Sequence, residues 1–185
     1  MQVMILGLVL WTASHFFKRL APGLRTRLGD LPGKMLVTAL SLAAIVLMVI
    51  GYRRAEFEPL YTPMAGMGHL NNLLMLIAVF LMGVSHTKGI VKAKLRHPML
   101  IGVIIWAAAH LLVNGDLASV VLFGWLGVWA IVSMVLINAQ DSWTAPAVGH
   151  IRSDLIGVAI AVVLYALIAG IHLWLGHNPF LGTYA

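Results

Sequence analysis

Three histidines, His15, His110 and His172, fall inside long apolar stretches that hold no Asp, Glu, Lys or Arg. An ionisable side chain within a bilayer is costly to keep, so each is a candidate functional group. The plainer reading of each is a neutral imidazole hydrogen-bonded to a neighbouring helix. Imidazole at such a depth offers two chemistries, metal ligation and proton transfer. The other five histidines, His69, His86, His97, His150 and His177, lie at the ends of apolar runs or in loops.

The surroundings of two of the three are alike. Gly102, Trp106, His110 and Asn114 recur at steps of four, which places them on one face of a helix. Gly7, Trp11 and His15 repeat the first three positions, with three aliphatic residues before the tryptophan and three small ones after it. If the match is a repeat, residues preceding and following the middle of the chain form halves of three spans each. An odd number of spans inverts the second half relative to the first, giving a 3+3 inverted repeat. His15 and His110 then lie on opposite sides of the membrane midplane, with backbone depths ~12 Å apart. Helical side chains lean toward their own N-terminus, which for both is toward the midplane. Two imidazoles converging in this way would hold a planar cofactor between helices, with Trp11, Trp106 and Asn114 beside it. His172, near the end of the last span, is the competing second ligand.

The choice of metal follows from the available donors. There is no cysteine, which excludes thiolate ligands, disulfides and covalent attachment of a c-type haem. Protein zinc sites commonly add thiolate or carboxylate to histidine, and the apolar stretches carry neither. Two histidines on facing helices suit a non-covalent b-type haem.

Positioning these side chains falls to a bundle of membrane helices. The chain is 61% hydrophobic and 10% charged, against about 25% charged in a soluble domain. Six apolar runs, 1–17, 35–52, 70–85, 98–114, 117–138 and 155–175, reach or approach the ~20 residues needed to span. The third and fourth are short. The fold class is therefore all-α, a polytopic transmembrane bundle of about six spans, forming a single domain over 1–185. Met1–Leu10 lacks a basic n-region and reads as part of a retained first span. The positive charges explain themselves through topology: ten Lys and Arg lie in the odd-numbered loops, and only Arg53 and Arg54 in the even ones. The odd loops are then cytoplasmic, with both termini on the opposite side of a bacterial inner membrane. The net charge of +6 needs no nucleic-acid partner. The lipid bilayer is the expected partner.

The boundaries are written in ordinary terms. Pro98 suits the first turn of a helix. Gly115 is expected to end the fourth span and Asp116 to cap the fifth. Gly/Pro-rich stretches at 21–33 and 59–68 read as loops. Gly157 with Ala161, and Ala166 with Gly170, have the spacing of close helix packing. The ten methionines read as packing filler.

These residues together resemble the NnrU family of integral membrane proteins. The resemblance runs through nearly the whole chain. It includes Ser14-His15 with Arg19, Ala21-Pro22 and Arg25; Gly51-Tyr52; Lys94-Leu95-Arg96-His97-Pro98 with Gly102, Trp106 and His110; Asn114-Gly115-Asp116; and His172-Leu173-Trp174. The block from Arg96 to Asp116 is the most specific. The family includes bacterial proteins linked to nitrite and nitric oxide reduction, and a plant carotene isomerase that uses haem b. The resemblance implies haem b with His15 and His110 as ligands, and either isomerisation of a hydrophobic polyene or a role in nitric oxide metabolism. Two other classes remain open: a non-catalytic assembly partner of a respiratory or photosynthetic membrane complex, and an isoprenylcysteine-type methyltransferase, whose cofactor motif Arg96-His97-Pro98 with Gly102 resembles. The latter needs a polar, acidic segment downstream, and after Asp154 this chain is almost wholly apolar.

Overall fold

Long runs of Leu, Ile, Val and Ala have one way to satisfy their backbone in lipid, the α-helix, and helices account for the architecture. The computed structural model describes residues 1–180. In chain order the helices are α1 (Gln2–Leu20), α2 (Pro22–Arg27), α3 (Asp30–Arg53), α4 (Met67–Val84), α5 (Ile90–Lys94), α6 (Pro98–Val113), α7 (Leu117–Gln140) and α8 (Ile151–Trp174). Among the described residues α1, α3, α4, α7 and α8 are long and apolar enough to cross a membrane, and α6 is a shorter apolar helix. With 16 residues, α6 is ~24 Å long. Its ends are built from the polar Arg96-His97 and Asn114-Gly115-Asp116.

The expected loop over 21–33 is corrected. Pro22 starts α2 rather than breaking the chain, because a missing N–H costs nothing in the first turn. The break falls at Gly29, whose φ of 78° only glycine adopts readily. Asp30 then opens α3, five residues before the apolar run begins.

Glycine sets the closest helix contacts. A Cβ on Gly7 would come within 2.8 Å of the Ala44 carbonyl oxygen on α3, and one on Gly102 within 2.9 Å of the Ala78 carbonyl oxygen on α4. Met4, Leu8, Ala44, Met48, Ala118 and Leu126 form the buried cluster between α1, α3 and α7, with Trp11 and Trp106 packed against it. On α8 the packing face is Gly157, Ala161 and Ala169: Gly157 meets Phe80 of α4, and the two alanines are buried. Gly170 has no neighbour where its Cβ would be. The second small-residue pair expected on α8, Ala166 with Gly170, therefore lies one position past the packing face.

The repeat is visible locally and only partly in the packing. α1 packs on α3, and α6 packs on α7, as equivalent pairs of two inverted halves would. The glycines depart from this. Gly7 meets span two (α3), whereas its counterpart Gly102 meets span three (α4).

The two ends of the bundle differ in chemistry. At one end Arg19 of α1 reaches Gln140 and Asp141 at the close of α7, at 2.9 Å each. Arg96 donates to the carbonyls of Ile137 and Asp141, and His97 Nε2 pairs with Asn138 Oδ1 at 2.8 Å. These basic groups meet the C-terminal carbonyl end of α7, where cations are favoured. Arg19 holds the Asp141 carboxyl below the ordinary carboxylate range, chiefly through its hydrogen bond. At the other end Asp116 caps α7, accepting from Ser119 N at 2.9 Å and from the Ser119 hydroxyl at 2.5 Å. Tyr52 at the end of α3 lies 2.8 Å from that same hydroxyl. Gly115 does not end α6 as a left-handed cap. It accepts from Leu60 N and Tyr61 N, and a side chain there would meet the Tyr61 carbonyl.

Candidate functional site

Each intramembrane histidine makes the same local bond. Nδ1 of His15 lies 2.9 Å from the Trp11 carbonyl, Nδ1 of His110 lies 2.9 Å from the Trp106 carbonyl, and Nδ1 of His172 lies 2.8 Å from the Ile168 carbonyl. A carbonyl only accepts, so Nδ1 carries the proton in each neutral ring. The Nε2 lone pair is thereby left for a metal or a hydrogen-bond donor. The partner is the residue one turn back on the same helix, not a neighbouring helix.

The matched surroundings read from the sequence are matched in space. His15 sits against Trp11 (ring centroids 4.0 Å apart) and Trp129 of α7 (5.1 Å). His110 sits against Trp106 (5.0 Å) and Phe123 of α7 (4.3 Å). In both, the tryptophan four residues earlier gives its carbonyl to Nδ1 and its ring to the imidazole, and α7 adds a second aromatic.

The two rings nevertheless face different places. His110 and His172 line one cavity of about 490 Å³, together with Asn114, Phe123, Tyr52, Asn71 and Met75 among others. It lies where α3, α6 and α8 end and α4 and α7 begin. Neither His15 nor Trp11 lines it, nor does Trp106. Asn114 lines it, but its amide donates to the His110 backbone carbonyl at 2.9 Å rather than to the ring. His15 is half-buried between two aromatic rings, and among the described residues the indole N–H groups of Trp11 and Trp129 beside it are buried without a partner.

Some contributing residues were not picked from the sequence. Phe123 and Trp129 belong to an apolar helix, where nothing in the local pattern marks them. Asn71 and Asn72 did leave a signal: two adjacent amides open a run that is otherwise apolar to residue 85. Asp154 is 4% exposed in the first turn of α8. Its Oδ2 accepts from Ile90 N at 2.7 Å, tying α5 to α8.

Among the described residues no three His, Asp or Glu converge well enough to hold a metal ion by themselves. The donor set is individual imidazoles, each with a free Nε2, in apolar walls.

Comparison with known proteins decides the family. The description "NnrU protein" matches residues 3–179, nearly the whole chain. This chain belongs to the NnrU family. The match takes in both ring clusters and the cavity, so the features described above all lie within the family's own domain. No curated protein and no solved structure matches it. As an NnrU protein with several long apolar helices, it is a multi-pass membrane protein. Arg96 and His97, the residues that prompted the methyltransferase comparison, hold the end of α7 in this NnrU chain.

Proposed function

We propose that this NnrU protein binds haem b within its helix bundle, with His110 as a residue that would hold the iron. The bound haem serves either the cis–trans isomerisation of a membrane polyene or the metabolism of nitrite and nitric oxide. The observation that carries the reading is the free Nε2 of His110 at the wall of a cavity, its tautomer fixed by the Trp106 carbonyl. That is the arrangement a histidine ligand needs before metal arrives. A volume of about 490 Å³ falls in the range of ~300–1,000 Å³ usual for such ligands. The porphyrin supplies four of the iron's donors, so two imidazoles suffice where a protein-only site would not form. Its carboxylate edge needs water or cations, and α3 ends at that side of the bundle in Arg53 and Arg54. Haem would supply a redox-active iron able to bind small molecules or polarise a double bond. The chain's own residues orient the imidazoles and exclude water from around them.

His172 is the second ligand favoured by sharing the cavity with His110. His15 is favoured by a different observation: its ring surroundings match those of His110, and two unpartnered indole N–H groups stand ready for an oxygen-bearing group beside it. Absorption spectra separate the two. Protein purified with added haem should show a Soret band, and His110→Ala should remove or shift it. Of His15→Ala and His172→Ala, the one that shifts the band identifies the second ligand. A protein that takes up no haem refutes the proposal.

A further inference from the structure

The same cavity has a second polar wall, and its hydrogen-bond direction is fixed. Asn72 Nδ2 lies 2.8 Å from the Pro179 carbonyl, which only accepts, so the Asn72 amide nitrogen must face it. Asn72 Oδ1 therefore faces Asn71, whose Nδ2 donates to it at 3.2 Å. The remaining atom, Asn71 Oδ1, has no partner among the described residues. Asn71 is 9% exposed and lines the cavity. Flipping its amide would bring two oxygens together, so the orphan is an acceptor.

The residues that line the cavity thus carry acceptors on three helices: the buried Asn71 Oδ1 on α4, and the Nε2 lone pairs of His110 on α6 and His172 on α8. Among the described residues its lining contains no Lys, Arg, Asp or Glu, so no permanent charge in it balances that of an ion. Met75, Val79, Val113, Phe123 and Ile168 give the wall its apolar part, and Tyr52, Asn114, Tyr165, His177 and Asn178 add further neutral polar groups. A buried acceptor left unpaired costs free energy that a protic group on an occupant would recover.

We propose that this cavity binds a neutral apolar molecule through a hydroxyl group that donates to Oδ1 of Asn71. The proposal adds a ligand class for the cavity read above, beside the polyene or nitrogen-oxide chemistry proposed for the haem. It rests on the cavity being the ligand site, and it does not depend on the iron. A hydroquinone and an isoprenoid alcohol both have this chemistry. A hydrocarbon polyene lacks it.

The test uses the full chain in lipid nanodiscs, prepared with and without added haem. Decylubiquinol, kept reduced under argon, is titrated beside its dimethyl ether; farnesol is titrated beside its methyl ether. Protein-free discs correct for partition into lipid. At least one hydroxyl probe should bind about fivefold or more tightly than its ether, the range of one buried hydrogen bond. The arm that shows the preference identifies the source, aromatic or isoprenoid. Asn71→Leu should bring the alcohol to the ether's affinity. Equal binding of alcohol and ether in both arms overturns the proposal, as it would if water alone satisfied Asn71. So does a preference that persists in Asn71→Leu. The alcohol–ether comparison is made on the natural protein and needs no variant to fold. Discrimination without a Soret band would sink the haem reading alone, and a Soret band without discrimination would sink this inference alone.

Discussion

The imidazole of His110 lies nearly flat on the ring of Phe123, with centroids 4.3 Å apart and planes 22° apart. Phe123 in turn meets Trp106 edge-on at 5.0 Å, so the imidazole is held by a ring on each of two helices and by a carbonyl of its own. This fixes where Nε2 points before anything binds. Phe123 is 6% exposed, and Phe123→Ala should lower stability by about 3 kcal/mol, measured by reversible unfolding in mixed detergent. Phe123→Leu keeps most of the volume and loses the stacking. It should leave stability within about 1.5 kcal/mol while broadening the Soret band of haem-loaded protein. An unchanged spectrum in Phe123→Leu would show that stacking does not set the orientation.

Gly7 and Gly102 meet backbone carbonyls, which cannot move aside as a flexible side chain can. Gly102→Ala should force α6 from α4 and cost about 1–3 kcal/mol. Gly170→Ala, with open space around the new methyl, should be neutral or slightly stabilising through helix propensity. Parallel unfolding curves of the two variants provide the check; equal effects would mean that the close approach at Gly102 carries no weight.

These two glycines also mark how far the sequence could be read. The motif of Gly7, Trp11 and His15 against Gly102, Trp106 and His110 is local, with all its spacing within one helix. Helical geometry therefore predicts the tryptophan beside each histidine from the four-residue step. Span positions were legible for the same reason, because apolar length is a property of a contiguous stretch. Which helix each glycine would meet was not legible. That depends on contacts between residues far apart in the chain, and α3 and α4 are both apolar. The cavity was half legible. His110, His172 and Asn114 stood out as polar groups in apolar runs. Phe123 did not, since its role depends on the imidazole beside it and leaves no mark in its own helix. The loop over 21–33 was misread because Pro22 can start a helix as readily as end one.

Ten Lys and Arg against two give a topology that reporter fusions can test. A cytoplasmically active reporter fused at Lys92 should work. The same reporter fused at the C-terminus should be silent, and a periplasmic reporter there should work instead. Activity of the cytoplasmic reporter at the C-terminus would contradict six spans with α6 counted as one.

Arg19 and Asp141 form a clamp at the basic end whose pH dependence has a definite sign. The folded carboxyl titrates below its unfolded value because the guanidinium donates to it. The stabilisation is therefore complete above the unfolded pKa of ~3.9 and is lost as pH falls through the lower folded value. Between neutral pH and about 5 the clamp should not respond. Asp141→Asn should remove the acid-side response and little else, since Asp141 is 53% exposed and solvent screens the pair. Spin labels at the ends of α1 and α7 should report separation only at acid pH in the natural protein. Separation that begins well above pH 5 would show that the Arg19–Asp141 pair does not control it.

Tyr61 ties the segment between α3 and α4 to the turn beneath the cavity. Its hydroxyl donates to the carbonyls of Leu111 and Asn114, and its backbone N–H to the Gly115 carbonyl at 3.1 Å. Leu117 N returns a bond to the Glu58 carbonyl at 2.8 Å. Burial, and after it the nearby Asp116 carboxylate, push the phenol above its ordinary pKa, so the hydroxyl remains a donor throughout the physiological range. Tyr61→Phe keeps the ring and deletes only the donor. Net loss of about 1 kcal/mol is expected, or roughly fivefold faster amide exchange at Leu60, residue 61 and Leu117. The exchange of α1 should be unchanged, because α1 is not joined to that segment by these bonds. Because Leu111 and Asn114 follow His110 at the end of α6, the variant should also loosen the end of the helix that presents this imidazole. Hydrogen–deuterium exchange resolved by mass spectrometry reads both regions at once, and faster exchange confined to 54–66 with residues 111–117 unaffected would show that the segment does not brace the cavity.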